Sequence, residues 1–204
     1  MNRRAMIKPL FASLAAALLL SACQQAAPPP AQLIGTDIKG TPFGGPFSLT
    51  GEDGKRYGWG DFKGKYRLVY FGYAFCPDAC PTDVAVMMRG FQQFEKAHPG
   101  KAAKVQPLFI TIDPARDTVQ VVKEFTDSFH PRLLGLTGTQ AEVDVAAKAF
   151  RVYAARGKDL GNGAYLMDHS RFAYLMDPEG KPLVILPVDK NAEAVASDLA
   201  ASVQ

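Results

Sequence analysis

The prediction of the fold rests mainly on the stretch RLVYFGYAFCPDACPTDVAVMMRGFQQFEKA, residues 67–97. Its first six residues, 67–72, form a compact β-branched and aromatic run, which is typical of a buried strand. From about residue 82 to residue 97, apolar side chains recur every three or four positions, as on one face of a helix. Cys76 and Cys80 lie between these two segments. The sequence therefore predicts a buried strand, a turn that carries two cysteines, and an amphipathic helix.

The rest of the chain supplies further strands and helices around this unit. Strand patterns occur at residues 47–50, 55–57, 105–112, 151–155, 172–176 and 183–186. Helical patterns occur at residues 118–129, with Asp117 placed to cap it, 140–150 and 191–203. Because a strand, a helix and a second buried strand follow one another, a parallel crossover is favoured. We predict an α/β fold: a thioredoxin-like mixed sheet flanked by helices, with an N-terminal β-hairpin.

The composition limits the classes of function. The chain has 48% apolar and 21% charged residues, the proportions of an ordinary globular protein. Arg3, Arg4 and Lys8 account for the whole net charge of +3, so no basic surface for nucleic acid is expected. With three cysteines, a disulfide-dense scaffold and a four-cysteine zinc site within one chain are both excluded. Few residues remain as candidates for thiol or metal chemistry.

Residues 1–22 are predicted to be a targeting segment. A basic start precedes an apolar run from about residue 10 to residue 20, which is the pattern of a secretory signal peptide. That run is short for a bilayer core of about 30 Å. The sequence Leu20-Ser21-Ala22-Cys23 resembles the lipobox of bacterial lipoproteins. We therefore expect cleavage before Cys23 and its lipidation; the alternative is a membrane anchor that is never cut.

Residues 23–43 contain three consecutive prolines and several glycines, so we predict an extended tether. The thioredoxin-like domain is assigned to residues 44–204. With a lipid on Cys23, this domain is expected in the cell envelope, facing the periplasm and anchored to a membrane.

Cys76 and Cys80 are expected at the start of a helix, where free backbone N–H groups and the helix dipole lower the pKa of a thiol. Their spacing lets both sulfurs converge, either to close a disulfide or to hold one ion. A purely structural disulfide is the plain alternative, but a bridge that closes so small a loop stabilises little. The pair is therefore predicted to carry chemistry.

His169 lies between two copies of the pentapeptide AYLMD, at residues 164–168 and 173–177, a repetition that we attribute to chance. In a thioredoxin-like fold, the loop before this strand faces the strand-to-helix turn. We therefore expect His169 to approach Cys76 and Cys80. Two thiolates and one imidazole favour Cu(I), and the imidazole also suits Cu(II). Zinc is the competitor, although it usually takes a fourth ligand.

Neighbouring side chains are assigned supporting roles. Asp168, or a backbone carbonyl, is expected to orient the imidazole. Asp78 either tunes the thiolates or meets a partner, with a solvated turn carboxylate as the alternative. Met167 is an outside candidate for a copper ligand. His98 and His130 are both expected on the surface.

Four motifs together give the chain a family resemblance. They are Gly44-Gly45-Pro46-Phe47, Tyr70-Phe71-Gly72-Tyr73 followed by Cys76-Pro77-Asp78-Ala79-Cys80-Pro81, Asp113-Pro114-Ala115-Arg116-Asp117-Thr118, and Asp168-His169-Ser170. Over roughly residues 44–190, the chain resembles the SCO/SenC family of copper chaperones for cytochrome c oxidase. Arg171 departs from the family pattern and adds a cation near the site. Asp113 and Asp117 are expected to cap a helix and to pair with Arg116 rather than to act as acid and base.

The resemblance implies a copper site of Cys76, Cys80 and His169, and delivery of copper to the dinuclear centre of an oxidase subunit. The expected partner is the copper-bearing subunit of cytochrome c oxidase, with a periplasmic copper donor and a thiol reductant as further candidates. On this hypothesis the chain is not an enzyme. The competing hypothesis is a thiol–disulfide oxidoreductase, with Cys76 and Cys80 as the redox pair, that reduces an apo-oxidase or another exported protein. A thiol peroxidase is weaker, because the first cysteine lacks a Thr-x-x-Cys setting.

Overall fold

A large mixed sheet organises residues 32–204, the part of the chain that the computed structural model describes. The strands in this part are β1 Thr36–Asp37, β2 Ser48–Gly51, β3 Arg56–Gly58, β4 Tyr66–Gly72, β5 Val105–Thr111, β6 Leu134–Thr137, β7 Ala154–Gly161, β8 Ala164–His169, β9 Ala173–Met176 and β10 Pro182–Leu186. Eight of them form one sheet in the order β1-β10-β9-β4-β5-β6-β2-β3. β7 and β8 form a separate two-stranded sheet.

The part of the chain that the structure describes has five α-helices. They are α1 Ala79–Ala97, α2 Pro99–Ala102, α3 Val119–Asp127, α4 Gln140–Ala149 and α5 Ala192–Ser202. Asn191 caps α5, because its side chain accepts the N–H of Ala194 at 2.8 Å. α1 and α5 pack closely at Gly90, where a Cβ atom would lie 2.6 Å from Cβ of Val195. This contact needs a residue without a side chain.

The centre of the sheet is parallel and its edges are antiparallel. β4 pairs in parallel with β5, and β5 with β6, whereas β9 and β2 add in the antiparallel sense. Every residue of β4 is buried, as its continuous apolar run predicts. The predicted mixed sheet with an N-terminal hairpin, here β2 and β3, is confirmed.

Four strand predictions are wrong. No strand is predicted at β1, and a loop is predicted before His169, where the structure has β8. The sequence pattern predicts no strand at β6, because LGLT is short and contains a glycine; pairing with β5 and β2 forms it. A strand is predicted at residues 151–155, whereas β7 begins at Ala154 and continues to Gly161. β7 is charged and largely exposed, so it lacks the apolar alternation that marks a strand. Asn162 turns the chain into β8 with φ of 52°, a conformation that asparagine tolerates.

The predicted cap of α3 is also wrong. Thr118 caps this helix by accepting the N–H of Val121 at 3.3 Å. Asp117 is fully buried and faces the sheet instead, where its Oδ2 accepts the N–H of Ala74 at 2.9 Å and the hydroxyl of Thr111 at 2.7 Å. Burial raises the pKa of Asp117 to about 6. Asp117 therefore holds the turn that leads to the cysteines.

His130 does not lie on the surface as predicted. Its side chain is 7% exposed and meets the ring of Phe91 edge-on at 5.4 Å between centroids. Its Nδ1 accepts the N–H of Arg132 at 3.2 Å, and burial lowers its pKa. His98 is exposed at the end of α1, as expected.

The compact unit begins ahead of the predicted domain boundary. The N–H groups of Ile34 and Gly35 donate to the buried carboxylate of Asp198 at 2.8 and 2.7 Å. Ile38 is buried, and β1 pairs with β10. The last part of the segment assigned to the tether therefore packs with the domain.

The predicted signal peptide, the lipidation site at Cys23 and the start of the tether lie outside the described residues. Within residues 32–204, no helix combines the length and the apolar composition that a membrane crossing needs.

Candidate functional site

The two cysteines lie where β4 leads into α1. β4 ends at Gly72 and α1 begins at Ala79, so Cys76 is in the turn and Cys80 is the second residue of the helix. Gly72 permits a close approach, because a Cβ atom there would lie 3.2 Å from Sγ of Cys80. The N-cap residue, Asp78, makes no side-chain capping bond, so backbone N–H groups at the helix start stay available. The N–H of Cys80 donates to Sγ of Cys76 at 3.3 Å.

His169 ends β8 and brings its imidazole to the dithiol. Its Nε2 is 3.2 Å from Sγ of Cys80, and its Nδ1 is 2.8 Å from the carbonyl oxygen of Ser170. Because a carbonyl only accepts hydrogen bonds, we assign the ring proton to Nδ1, and the Nε2 lone pair faces the sulfur. The rings of Tyr70 and Tyr73 meet the imidazole edge-on, with centroids 6.5 and 6.0 Å away. The ring is thus held in the tautomer that a metal ligand needs.

The two thiols differ in acidity. A hydrogen bond from the Cys80 thiol is the largest cause that lowers the pKa of Cys76, and the backbone N–H groups of Cys80 and Asp78 lower it further. The bond to Cys76 and burial raise the pKa of Cys80. Cys76 is half-buried, whereas Cys80 is fully buried. The first ionisation therefore leaves a thiolate on Cys76 and a thiol on Cys80.

This asymmetry predicts the order of alkylation. The reduced protein should react with iodoacetamide first at Cys76, and the rate should change little between pH 8 and pH 6. An ordinary cysteine of pKa about 8.5 would slow nearly a hundredfold over that range, because it loses its thiolate. Peptide mapping after partial reaction identifies the modified residue. Preferential modification of Cys80, or a rate that follows an ordinary thiol, would contradict the assignment.

An open cleft of about 390 Å³ gives access to the site. Its lining includes Tyr73, Cys76, Pro77, Met167, His169 and Arg171. Cys80 lies beneath this lining, with its sulfur against the imidazole. An incoming ligand therefore reaches Cys76 and His169 before it reaches Cys80.

The two carboxylates predicted to support the site are both exposed. Asp78 acts on the thiolate of Cys76 through its backbone N–H. Asp168 lies beside Gly157 on the neighbouring strand, where a Cβ atom would be 2.9 Å from its Oδ2. Of the two groups considered for orienting the imidazole, the one in contact is a backbone carbonyl, that of Ser170.

The contacts of Arg116 extend further than the sequence predicts. Its Nε pairs with Oδ2 of Asp113 at 2.6 Å, as expected. Its Nη1 also donates to the carbonyl oxygen of Tyr165 at 2.8 Å, and the guanidinium lies 3.6 Å from the centre of that ring. The Tyr165 hydroxyl completes the group by donating to Oδ1 of Asp113 at 2.8 Å. These contacts fasten the β7–β8 hairpin to the domain, across a sequence separation that no local pattern reveals.

Within residues 32–204, no three His, Cys, Asp or Glu side chains already surround one point at metal-ligand distances. The Cys80 sulfur is in direct contact with the His169 imidazole, and the Cys76 sulfur accepts a hydrogen bond from the backbone N–H of Cys80. The donor set nevertheless fits copper, because two sulfurs and a correctly oriented imidazole are soft and borderline ligands. Binding an ion requires the loss of thiol protons and a small separation of the sulfur from the nitrogen.

Comparison with known proteins agrees with this fold. The sequence profile of the SCO1/SenC family matches residues 35–204. Mitochondrial protein SCO2 of Saccharomyces cerevisiae is 44% identical over 141 residues, which cover 68% of this chain and 46% of that protein. The chain spans about half the length of the curated relatives that it matches.

Two solved structures are similar along most of their length. Copper-bound ScoI of Bradyrhizobium japonicum superposes with a TM-score of 0.70 at 38% identity, covering 78% of this chain and 98% of that one. Copper-bound yeast Sco1 gives 0.72 at 37% identity, covering 79% and 88%. The thioredoxin-like fold predicted from the sequence is confirmed by these neighbours. From its sequence profile and its closely matching relatives, the chain belongs to the SCO1/SenC family.

Proposed function

We propose that the chain is a membrane-anchored copper chaperone that delivers its ion to the dinuclear copper site of cytochrome c oxidase. One copper ion is bound by Cys76, Cys80 and His169. The observation that carries this proposal is the 3.2 Å approach of His169 Nε2 to Cys80 Sγ, with Nδ1 satisfied by Ser170. A histidine fixed in this tautomer serves a metal ion, whereas a dithiol reductase has no need of it. The copper-bound structures of ScoI and yeast Sco1 support the choice of metal.

Transfer proceeds by ligand exchange from the open side. Copper binding releases the thiol proton that the two cysteines share, so both sulfurs bind as thiolates. A three-coordinate ion accepts a fourth ligand from the partner through the cleft. Cys76 lies at the cleft and is displaced early, while buried Cys80 leaves last. No electron is transferred, and each copper–sulfur bond that breaks is replaced by a bond to the partner.

A handover experiment tests the proposal. Copper-loaded, reduced protein is mixed with the metal-free soluble domain of an oxidase copper-bearing subunit. We expect copper to move to the acceptor while Cys76 and Cys80 remain thiols, as thiol counting and metal analysis of the separated proteins would record. Protein oxidised to the Cys76–Cys80 disulfide is the control and should carry no copper. Retention of all copper by the chain at equilibrium would contradict the proposal.

A second function, thiol–disulfide exchange, is favoured by the acidity of the half-buried Cys76 thiol, which lines the open cleft. The Cys76 thiolate would attack a partner disulfide, forming a mixed disulfide and releasing one partner thiolate. Cys80 would then attack Cys76, closing the Cys76–Cys80 disulfide and releasing the second thiolate. Two electrons pass to the partner. In the handover experiment, this function would appear as reduced acceptor cysteines and an oxidised chain, without copper transfer.

The predicted lipid anchor is on a different part of the chain from the copper site, so it is tested independently. We propose that Cys23 is lipidated and holds the domain at a periplasmic membrane surface. Cys23→Ser should move the protein from the membrane fraction to the soluble fraction and leave its copper stoichiometry unchanged. Fractionation followed by metal analysis measures both results. A mutant that still sediments with membranes would overturn the lipid anchor.

A further inference from the structure

A buried carboxylate lies directly behind the dithiol. Asp83 is 2% exposed and follows Cys80 by three residues on α1, so both side chains lie on the same side of the helix. An ionised carboxylate in such a position needs partners that satisfy its oxygens. The partners of the Asp83 carboxylate therefore show which elements of the fold it connects.

Two side chains from elsewhere in the fold satisfy Asp83. The hydroxyl of Tyr70, on β4, donates to Oδ2 at 2.9 Å. Arg171 donates from Nε to Oδ2 at 2.9 Å and from Nη2 to Oδ1 at 2.7 Å. This two-point pairing fixes the direction of the guanidinium as well as its distance, which a lysine cannot do.

The position of Arg171 in the chain shows which parts of the fold the ion pair connects. Arg171 follows His169 by two residues, in the short segment that joins β8 to β9. Its partner sits one helical turn after Cys80. A single ion pair, spanning 88 positions, therefore ties the backbone after the histidine to the helix that carries the buried cysteine.

The other hydrogen bonds at this end of β8 lead to elements other than α1. The β7–β8 hairpin is outside the main sheet, so no ladder of backbone hydrogen bonds connects His169 to β4 or β9. Arg116 fastens the hairpin at Tyr165, and Tyr73 accepts the N–H of Met167 at 3.2 Å. After the histidine, Ser170 and Tyr153 exchange two hydrogen bonds, which hold Ser170 to the segment before β7. Arg171 is the residue after the histidine that pairs with α1.

We propose that Arg171 is a positioning residue: its ion pair with Asp83 holds the His169 imidazole at the sulfur of Cys80. This inference rests on the proposed copper site and adds a residue that does not touch the ion. Partners that hold a ligating histidine in place typically change metal affinity by roughly 10- to 100-fold when removed.

The test must distinguish loss of the Arg171–Asp83 ion pair from unfolding of the protein. Arg171→Met alone leaves the buried charge of Asp83 unpaired, so the main variant is Arg171→Met with Asp83→Asn. The asparagine keeps an acceptor for the Tyr70 hydroxyl. Arg171→Lys retains the charge without the two-point geometry. Arg56→Met, which removes an exposed arginine paired with Glu142 at 2.6 Å, is the matched control.

Two measurements are made on the folded proteins. In the reduced, metal-free protein, the NMR cross-relaxation between His169 ring protons and Cys80 β-protons should fall to noise in the double variant and persist in the control. Copper affinity, measured by chelator competition, should fall roughly tenfold or more in the double variant and by an intermediate factor in Arg171→Lys. Nitrogen coupling in the Cu(II) spectrum should weaken in parallel.

A folded double variant with unchanged cross-relaxation and unchanged copper affinity would overturn the positioning role. Failure of the copper site itself would look different. The unmodified protein would then show no nitrogen-coupled copper, and the metal-free measurement would still decide whether Arg171 holds the histidine.

Discussion

Replacing Cys80 with serine is expected to abolish tight copper binding while leaving the fold intact. Serine is close in shape, and its hydroxyl can donate to the Cys76 thiolate as the Cys80 thiol does, so the buried position stays satisfied. The hard oxygen is a poor substitute for a thiolate on Cu(I). The loss of affinity should exceed the roughly 10- to 100-fold effect of removing a supporting residue, because a direct ligand is lost.

Chelator competition at a fixed concentration of reduced protein measures this loss. Far-ultraviolet circular dichroism and thermal unfolding establish that the variant is folded. Cys23→Ser, the same substitution at the remaining cysteine of the chain, is the matched control and should bind one copper ion. Copper binding by Cys80→Ser as tight as that of the control would remove Cys80 from the ligand set.

His169→Ala should separate the two candidate functions. Removing the imidazole takes away one of three proposed ligands, and Cu(II) loses the nitrogen donor that it favours. The Cys76 thiolate keeps its main stabilisation, because the Cys80 thiol contributes most to its low pKa and the backbone N–H groups of Cys80 and Asp78 remain. Copper affinity should therefore fall strongly, and exchange with a small disulfide probe should change only modestly.

Both properties are measured on one preparation, with copper titration beside disulfide exchange. His98→Ala is the matched control, since His98 is exposed at the far end of α1. It should leave both properties unchanged. If His169→Ala retains copper and loses exchange, His169 serves redox chemistry, and the oxidoreductase function replaces the chaperone function.

The parts of the fold that follow from the sequence are those with a strong local pattern. β4 is a continuous buried run, and the core face of α1 repeats every three or four residues, so both are predictable. β6 and β7 are not, because one is short and the other is charged and exposed. Their conformation depends on pairing with distant strands, which a single sequence does not display.

The candidate site divides in the same way. The spacing of Cys76 and Cys80 at a strand-to-helix turn is visible locally, and the fold class then points to His169. The pairing of Asp83 with Arg171 is not visible, because residues of both types are usually found in solvent and nothing local marks Asp83 as buried. The burial of Asp117 is not predicted either, because its position before a helix predicts a capping residue.

The separation of the β7–β8 hairpin from the main sheet has a consequence for hydrogen exchange and for the order of metal capture. Amides in a two-stranded, exposed hairpin open without disturbing the core, so they should exchange well before those of β4 and β5. Cys76 and Cys80 belong to the part of the domain whose amides should exchange slowly, and His169 is at the end of the hairpin, whose amides should exchange faster. At the proposed copper site we therefore expect the sulfurs to bind an arriving ion first and the imidazole nitrogen to bind it afterwards.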